Sequence, residues 1–324
     1  MPSLKEIQVP VANHMLQFEG VFHNAIKSPV PLLNLIMRYL TRRKGKQMRP
    51  LFVYLSADLC GGVTESTHRA AALIELLHTA TLVHDDVVDN SNERRGFFSI
   101  NALWKNKIAV LSGDYLLSRG LLLAVENNEF DLLRIVSQAT REMSEGELLQ
   151  IEKARRLDIH EEVYYEIIRK KTAALIASCC GAGASSAHAS TDLVQTMASF
   201  GEKVGMAFQI KDDLFDYQSV NHTGKPNGID IRDQKMTLPL IHLLSKCSSA
   251  EKRFVINTVK SHNTEHQRVK KVVAMVAEAG GLDYAHQQMI RYRDEALEML
   301  SKFPNVPSRQ SLVDLVKFTT DRDR

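Results

Sequence analysis

Proline is missing from more than half of the chain: of 324 residues, none between Pro50 and Pro226 is a proline. So long a stretch without the residue that most disrupts helices favours long, uninterrupted helices. Aromatic residues make up only 6% and apolar–polar alternation is absent, which argues against sheet. The four cysteines (Cys60, Cys179, Cys180 and Cys247) contain no Cys-x-x-Cys pair. That spacing excludes a disulfide framework and sets a reduced, cytoplasmic location as the expectation. Charge of one sign is also lacking. A net charge of +3 is too mild to imply nucleic acid as a partner. The most apolar stretch, AALIELLHTATLV from Ala71 to Val83, carries Glu75 and His78 and is too short to cross a bilayer, so no transmembrane segment is expected. The first twenty residues lack a basic segment followed by an apolar core, so no signal peptide is expected.

What is present is helical periodicity. Apolar residues recur at three- and four-residue spacing in LLSRGLLLAV and FDLLRIVSQATREMSEGELLQI, separated by short turns such as CGGVTEST and NNEFD. With no linker or low-complexity tract, residues 1–324 read as a single all-α domain of about a dozen helices. The small-residue stretch GAGASSA, with Gly181 and Gly183, has no preceding strand and reads as close helix packing, not a nucleotide loop.

Two acidic segments stand out. HDDVVDNSNERRG places Asp85, Asp86 and Asp89 at D-D-x-x-D spacing, and FQIKDDLFDYQ repeats it with Asp212, Asp213 and Asp216. On a helix the first and last members of each set lie one turn apart on one face. Two carboxylates about 4 Å apart repel by about 4 kcal/mol at an effective dielectric near 20. A single such motif is as well read as a solvated helix end. Both, however, close apolar helical runs, where the helix dipole disfavours negative charge. Two copies in the wrong place for the dipole point to a cation, and oxygen-only donors suit Mg²⁺ completed by substrate phosphates.

Basic residues surround these segments: Lys46 and Arg49 in GKQMRP, Arg94 and Arg95 after the first cluster, Lys171 before Thr172, and Lys225 and Lys235 beyond the second. Together with two Mg²⁺-type clusters they describe a cavity for more than one polyphosphate.

The ordered set GKxxRP, HDDxxDxxxxRRG, KT, FQIxDDxxD and GKxxGxDxxxxKxTLPL resembles the trans-isoprenyl diphosphate synthases, from Gly45 onwards. The resemblance implies an isoprenoid synthase type I fold, helices around a central cavity, and a long-chain member like the octaprenyl or heptaprenyl enzymes. It implies that isopentenyl diphosphate condenses onto an allylic diphosphate, farnesyl or geranyl, with three Mg²⁺ per site. By the same resemblance, Asp85, Asp89 and Asp212 are metal ligands, with Asp86, Asp213 and Asp216 ligands or their supports. Arg94 holds the allylic diphosphate with Lys171 and Lys235. Lys46, Arg49, His78 and Arg95 hold isopentenyl diphosphate, and Thr172 and Gln209 stabilise the carbocation. Gln150 lines the same cavity, and Lys225 borders it in the loop after the second cluster. His78 lies seven residues before Asp85, on nearly the same helical face. A homodimer with transient membrane contact for product release completes the expectation.

Two departures fall beyond the arginines. Phe97 and Phe98 stand where the family often has a lysine, and WKN, Trp104 to Asn106, replaces an aromatic-Gly-Asn. Rival readings are a short-chain synthase, a class I terpene cyclase, or a regulatory synthase subunit. Short-chain members close the product tunnel with an aromatic residue four or five positions before the first aspartate. Here Thr81 and Ala80 occupy those places. A product of roughly six to eight isoprene units is therefore expected by analogy.

Overall fold

The computed structural model describes residues 2–42, 45–94, 96–156, 160–217 and 228–321, with the side chains of Arg94, Arg155 and Arg156 outside that description. Among the described residues there are sixteen α-helices and a single two-residue hairpin. In chain order the helices are α1 Leu4–Ile7, α2 Ala12–Ala25, α3 Pro31–Thr41, α4 Met48–Cys60, α5 Glu65–Val88, α6 Ile100–Glu126, α7 Phe130–Arg156 and α8 Glu161–Ile168. They continue as α9 Ala174–Ser186, α10 Thr191–Tyr217, α11 Ile229–Arg232, α12 Leu238–Lys246, α13 Ser249–Ser261, α14 His266–Glu278, α15 Gly281–Ser301 and α16 Pro307–Thr320. The count exceeds the expected dozen because short one-turn helices such as α1 and α11 have no periodicity to read. The hairpin pairs β1, Glu93–Arg94, with β2, Phe97–Phe98, in the loop after the first aspartates.

Helix boundaries follow local chemistry. Thr64 starts α5 through a capping box with Thr67, and Ser99 caps α6 by accepting from the Ala102 N–H. Pro31, Pro239 and Pro307 sit in the first turns of α3, α12 and α16, where the missing N–H is harmless.

Three buried clusters hold the helices together. The largest joins residues of α4, α5, α9, α10 and α16; the second gathers α8, the end of α10 and α12–α15; the third links α2 and α3 to α5 and α6. The small residues of α9 do pack closely: a Cβ at Gly183 would lie 2.4 Å from the Val53 carbonyl oxygen of α4. At Gly205 of α10 a Cβ would lie 2.5 Å from the Cα of Ala173. This close approach sets Thr172 beside α10.

Helix α6 is long and apolar enough by length and composition to cross a membrane. Its inner face lies along α5 in the third cluster, with Ala109 and Leu116 buried against Leu76 and Ala80. The helix is kinked at Lys105, whose φ of 71° and ψ of 161° belong to a region that is essentially glycine's alone. The Trp-Lys-Asn departure falls on this kink.

Candidate functional site

The two aspartate segments form the C-terminal ends of two long helices, as their apolar approach runs predict. Asp85 and Asp86 lie in the last turn of α5, and Asp89 is its C-cap, its N–H donating to the Asp85 carbonyl at 2.8 Å. Asp85 and Asp89 are exposed, while Asp86 is buried. The loop that follows is tied back: Ser91 N–H and the Asn101 amide both donate to the Asp86 carbonyl, at 2.9 and 3.2 Å. Ser99 Oγ donates to the Ser91 carbonyl at 2.6 Å.

The second segment closes α10 in a different environment. Asp213 is buried and accepts hydrogen bonds from the Tyr164 hydroxyl of α8 and the Gln209 amide, both at 2.8 Å. Gln209 Oε1 in turn accepts from Thr172 Oγ1 at 2.7 Å. Thr172 sits in a π-helical turn, Arg169–Ala173, between α8 and α9. Such insertions are frequent at functional sites because they turn a side chain out of helical register. Asp216 accepts from the N–H groups of Ile229 and Asp230, at 2.9 and 3.0 Å, and so anchors the start of α11.

Burial, reinforced by the nearby Asp230 charge, pushes the Asp213 carboxyl up to about 7 despite its two donors. Burial and Asp230 raise Asp216 as well, and burial raises Asp230 itself, with Lys235 opposing. Lys235 bonds Asp230 and Asp233, both at 3.2 Å. Burial works against its charge, but those two carboxylates outweigh it and move its pKa upwards.

Several of the expected basic residues that are described already have partners. Arg49 makes a forked pair with Glu75 of α5 at 2.9 and 3.0 Å. Lys171 pairs with Glu147 and reaches Gln150 Oε1 at 3.4 Å, bringing together two residues the sequence linked only loosely. Lys46 lies over the Phe318 ring at 5.3 Å. His78 is half-buried on α5, its carbonyl accepting from Thr81 Oγ1 at 2.9 Å. Arg95 and Lys225 lie outside the described residues, as does the side chain of Arg94.

Sequence reasoning missed Tyr164, Glu75 and Asp230 as parts of this site. Asp230 and Lys235 did fall inside the GKxxGxDxxxxKxTLPL segment, so a signal existed there. Tyr164 is 49 residues from Asp213 and gave none.

Among the described residues no three carboxylate, imidazole or thiol side chains already converge as a cation cage. The donor set fits Mg²⁺ nonetheless, because that ion is typically bound by one or two carboxylates, with water and substrate phosphate completing the shell. Carboxylates at two helix C-termini, set against both dipoles, have a physical reason to take up a cation.

Comparison with known proteins agrees. The model of the family described as Polyprenyl synthetase matches residues 30–276. The all-trans-nonaprenyl-diphosphate synthase (geranyl-diphosphate specific) of Rhodobacter capsulatus is 35% identical, covering 98% of each chain. A geranylgeranyl diphosphate synthase of Saccharolobus solfataricus is 32% identical, over 92% of this chain and 93% of that one. Among solved structures, a polyprenyl synthase from Caulobacter crescentus complexed with calcium and isoprenyl diphosphate superposes with a TM-score of 0.90 at 32% identity, covering 99% of this chain and 98% of that one.

Proposed function

The chain belongs to the polyprenyl synthetase family and is a prenyltransferase, and on that premise we propose that it is a long-chain trans-polyprenyl diphosphate synthase. Isopentenyl diphosphate adds repeatedly to an allylic diphosphate, farnesyl or geranyl, and each addition releases diphosphate. One observation carries the reading. The hydrogen-bonded line Tyr164–Asp213–Gln209–Thr172 ties the second aspartate cluster to the turn that carries Lys171, which in turn reaches Gln150 of α7.

Asp85, Asp89 and Asp212 would hold Mg²⁺, three ions per site, with Asp86, Asp213 and Asp216 as ligands or supports. The ions supply positive charge against the leaving diphosphate. The chain's own residues do the rest. Arg94, Lys171 and Lys235 hold the allylic diphosphate, so its departure meets fixed positive charge without reorganisation. Lys46, Arg49, His78 and Arg95 hold isopentenyl diphosphate close to the reacting carbon, and Gln150 and Lys225 border the same space. Thr172 donates its hydroxyl proton to Gln209, which leaves the Oγ1 lone pairs to face the allylic cation. Attack by the isopentenyl double bond forms the new carbon–carbon bond and leaves a cation, which loses a proton from its neighbouring carbon to the released diphosphate.

Long product length is supported by α5. Ala80 is buried and small, and Thr81 is half-buried, so no aromatic floor stands below Asp85. The runner-up is a short-chain synthase. We read residues 1–324 as one domain in a homodimer in the cytoplasm, with transient membrane contact when the product leaves. An apolar outer face on α6, with Leu111, Leu121, Leu122 and Val125 exposed, supports the dimer.

The test is incorporation of labelled isopentenyl diphosphate by the purified chain with Mg²⁺ and farnesyl diphosphate. An extractable labelled polyprenol after phosphatase treatment is expected. Consumption of the allylic substrate alone would indicate a cyclase, and no consumption of either would indicate a regulatory subunit.

A further inference from the structure

Far along the chain from both aspartate clusters, the turn between α2 and α3 encloses a cavity of about 200 Å³. Its polar groups are sorted by sign. The main-chain acceptors of the turn are taken from behind: Arg119 Nε donates to the Ala25 carbonyl at 2.6 Å, and the Tyr115 hydroxyl to that of Lys27 at 2.5 Å. The side-chain acceptors are taken locally. Asn34 Oδ1 accepts the Ser28 N–H at 3.0 Å, Ser28 Oγ accepts the Val30 N–H at 3.1 Å, and the Asn34 amide closes the ring on the Ser28 carbonyl.

What remains around the cavity is a set of donors. The Ser28 side chain is only 9% exposed, and its hydroxyl hydrogen is not spent on the Val30 contact. The second Asn34 amide hydrogen, the Lys27 ammonium, the Arg38 guanidinium and the His23 ring complete the lining. No carboxylate lines it, and none of the three basic side chains has an acidic partner within ion-pair distance among the described residues. A pocket with its acceptors satisfied, its donors left over and up to three cations about it has the chemistry of an oxyanion site.

We propose that this pocket binds inorganic diphosphate. The preference for a phosphate-class anion follows from the lining alone; the choice of diphosphate rests on the proposed function, which releases one at every condensation. The apolar wall of the pocket gives it a route to the reaction. Ile26 and Met37 line the cavity and are buried in the same cluster as Leu76 and Ala80, the stretch of α5 assigned to product length. The pocket and that wall thus share one buried cluster.

The experiment is calorimetric titration of the full chain with inorganic diphosphate in EDTA. Without divalent cations the aspartate clusters repel the anion, so their contribution is removed, and the metal-independent cations of the isopentenyl diphosphate site are tested separately through Arg49→Gln. No turnover is measured, and an inactive enzyme would leave the result intact. A binding event is expected that persists in Arg49→Gln and whose dissociation constant is raised at least about tenfold in the double variant Lys27→Gln, Arg38→Gln. Both side chains are exposed, so that variant should melt like the wild type; Ser28→Ala, if it folds, should weaken binding further. Arg49→Gln removes a cation of the isopentenyl diphosphate site and should leave the event that depends on Lys27 and Arg38 in place. The proposal is overturned if the wild type gives no binding in EDTA, or if binding survives the double variant and is lost in Arg49→Gln. Inorganic phosphate and vesicles containing phosphatidate serve as the other arms. Tighter binding of either one, lost in the same double variant, would reject diphosphate as the ligand.

Discussion

The two D-D-x-x-D segments share a spacing and a position at the C-terminal end of an apolar helix, but their surroundings differ. At the end of α5, Asp85 and Asp89 face solvent, and the structure around them is held through backbone carbonyls by Ser91, Ser99 and Asn101. At the end of α10, Asp213 and Asp216 are gripped by their carboxylates, and the half-buried Asp230 lies beside them. The same five-residue pattern thus gives one acidic turn with two solvent-exposed carboxylates and one preorganised cluster whose central carboxyl keeps a proton until about neutrality. Motif spacing specifies which groups are available. Burial and neighbouring charge decide their protonation.

The largest effect should come from deleting a carboxylate on either side. Asp85→Ala and Asp212→Ala should each lower kcat by orders of magnitude, since the lost contact strengthens as the leaving diphosphate gains charge. EDTA should abolish turnover and Mg²⁺ restore it. Near-normal kcat in either variant would show that the two clusters do not work together.

Next come the cations that divide the substrates. Arg49→Ala and Arg95→Ala should raise KM for isopentenyl diphosphate about ten- to a hundredfold, and Arg94→Ala should act mainly on the allylic substrate. Equal effects of all three on both KM values would remove that division. Glu75 bears on the same point, because its forked pair with Arg49 sets the guanidinium plane before substrate arrives.

The proton on Asp213 gives the comparison its sharpest form. Cation binding must displace that proton, so the apparent Mg²⁺–diphosphate affinity should rise by up to about tenfold per pH unit below 7 and level off above it. Calorimetry in two buffers of different ionisation enthalpy would count the released proton. Asp213→Asn should abolish the release, whereas Asp86→Asn should not. Stability runs the other way. Between the ordinary value of 3.8 and about 7 the folded metal-free protein binds a proton that the unfolded chain has lost, so stability falls as pH rises through that window. A melting temperature that climbs with pH there would contradict the assignment.

The smallest effect concerns Lys105, in the helix behind the first cluster. A non-glycine residue at φ 71° and ψ 161° costs on the order of 1–3 kcal/mol. Lys105→Gly removes that strain but adds freedom to the unfolded chain. It should raise the melting temperature by a few degrees at most, and Lys105→Ala should not. A rise in both would mean that the side chain, not the backbone, is the unfavourable element.

Much of this could be read in the sequence because it rests on local rules. The all-α class came from period and missing proline, and both aspartate clusters from spacing plus an unfavourable place on the dipole. GAGASSA was legible as a packing surface, since small residues in a helix have few other uses. Contacts between distant segments were not legible. Nothing in a tyrosine of α8 announces that it will meet Asp213, and nothing in Glu75 announces its pairing with Arg49. The kink at Lys105 was visible only as a departure from an expected glycine. The hairpin at Phe97–Phe98 was too short to leave a pattern.

Product size tests the central claim most directly, because it depends on both clusters working and on the small residues beneath the first. The wild-type chain, given Mg²⁺, farnesyl diphosphate and labelled isopentenyl diphosphate, should make an all-trans product of roughly six to eight isoprene units by analogy. Ala80→Tyr or Thr81→Phe should shorten it towards farnesyl or geranylgeranyl diphosphate while the first condensation continues. A wild type that stops at those short products, or substitutions that leave the distribution unchanged, would contradict the account.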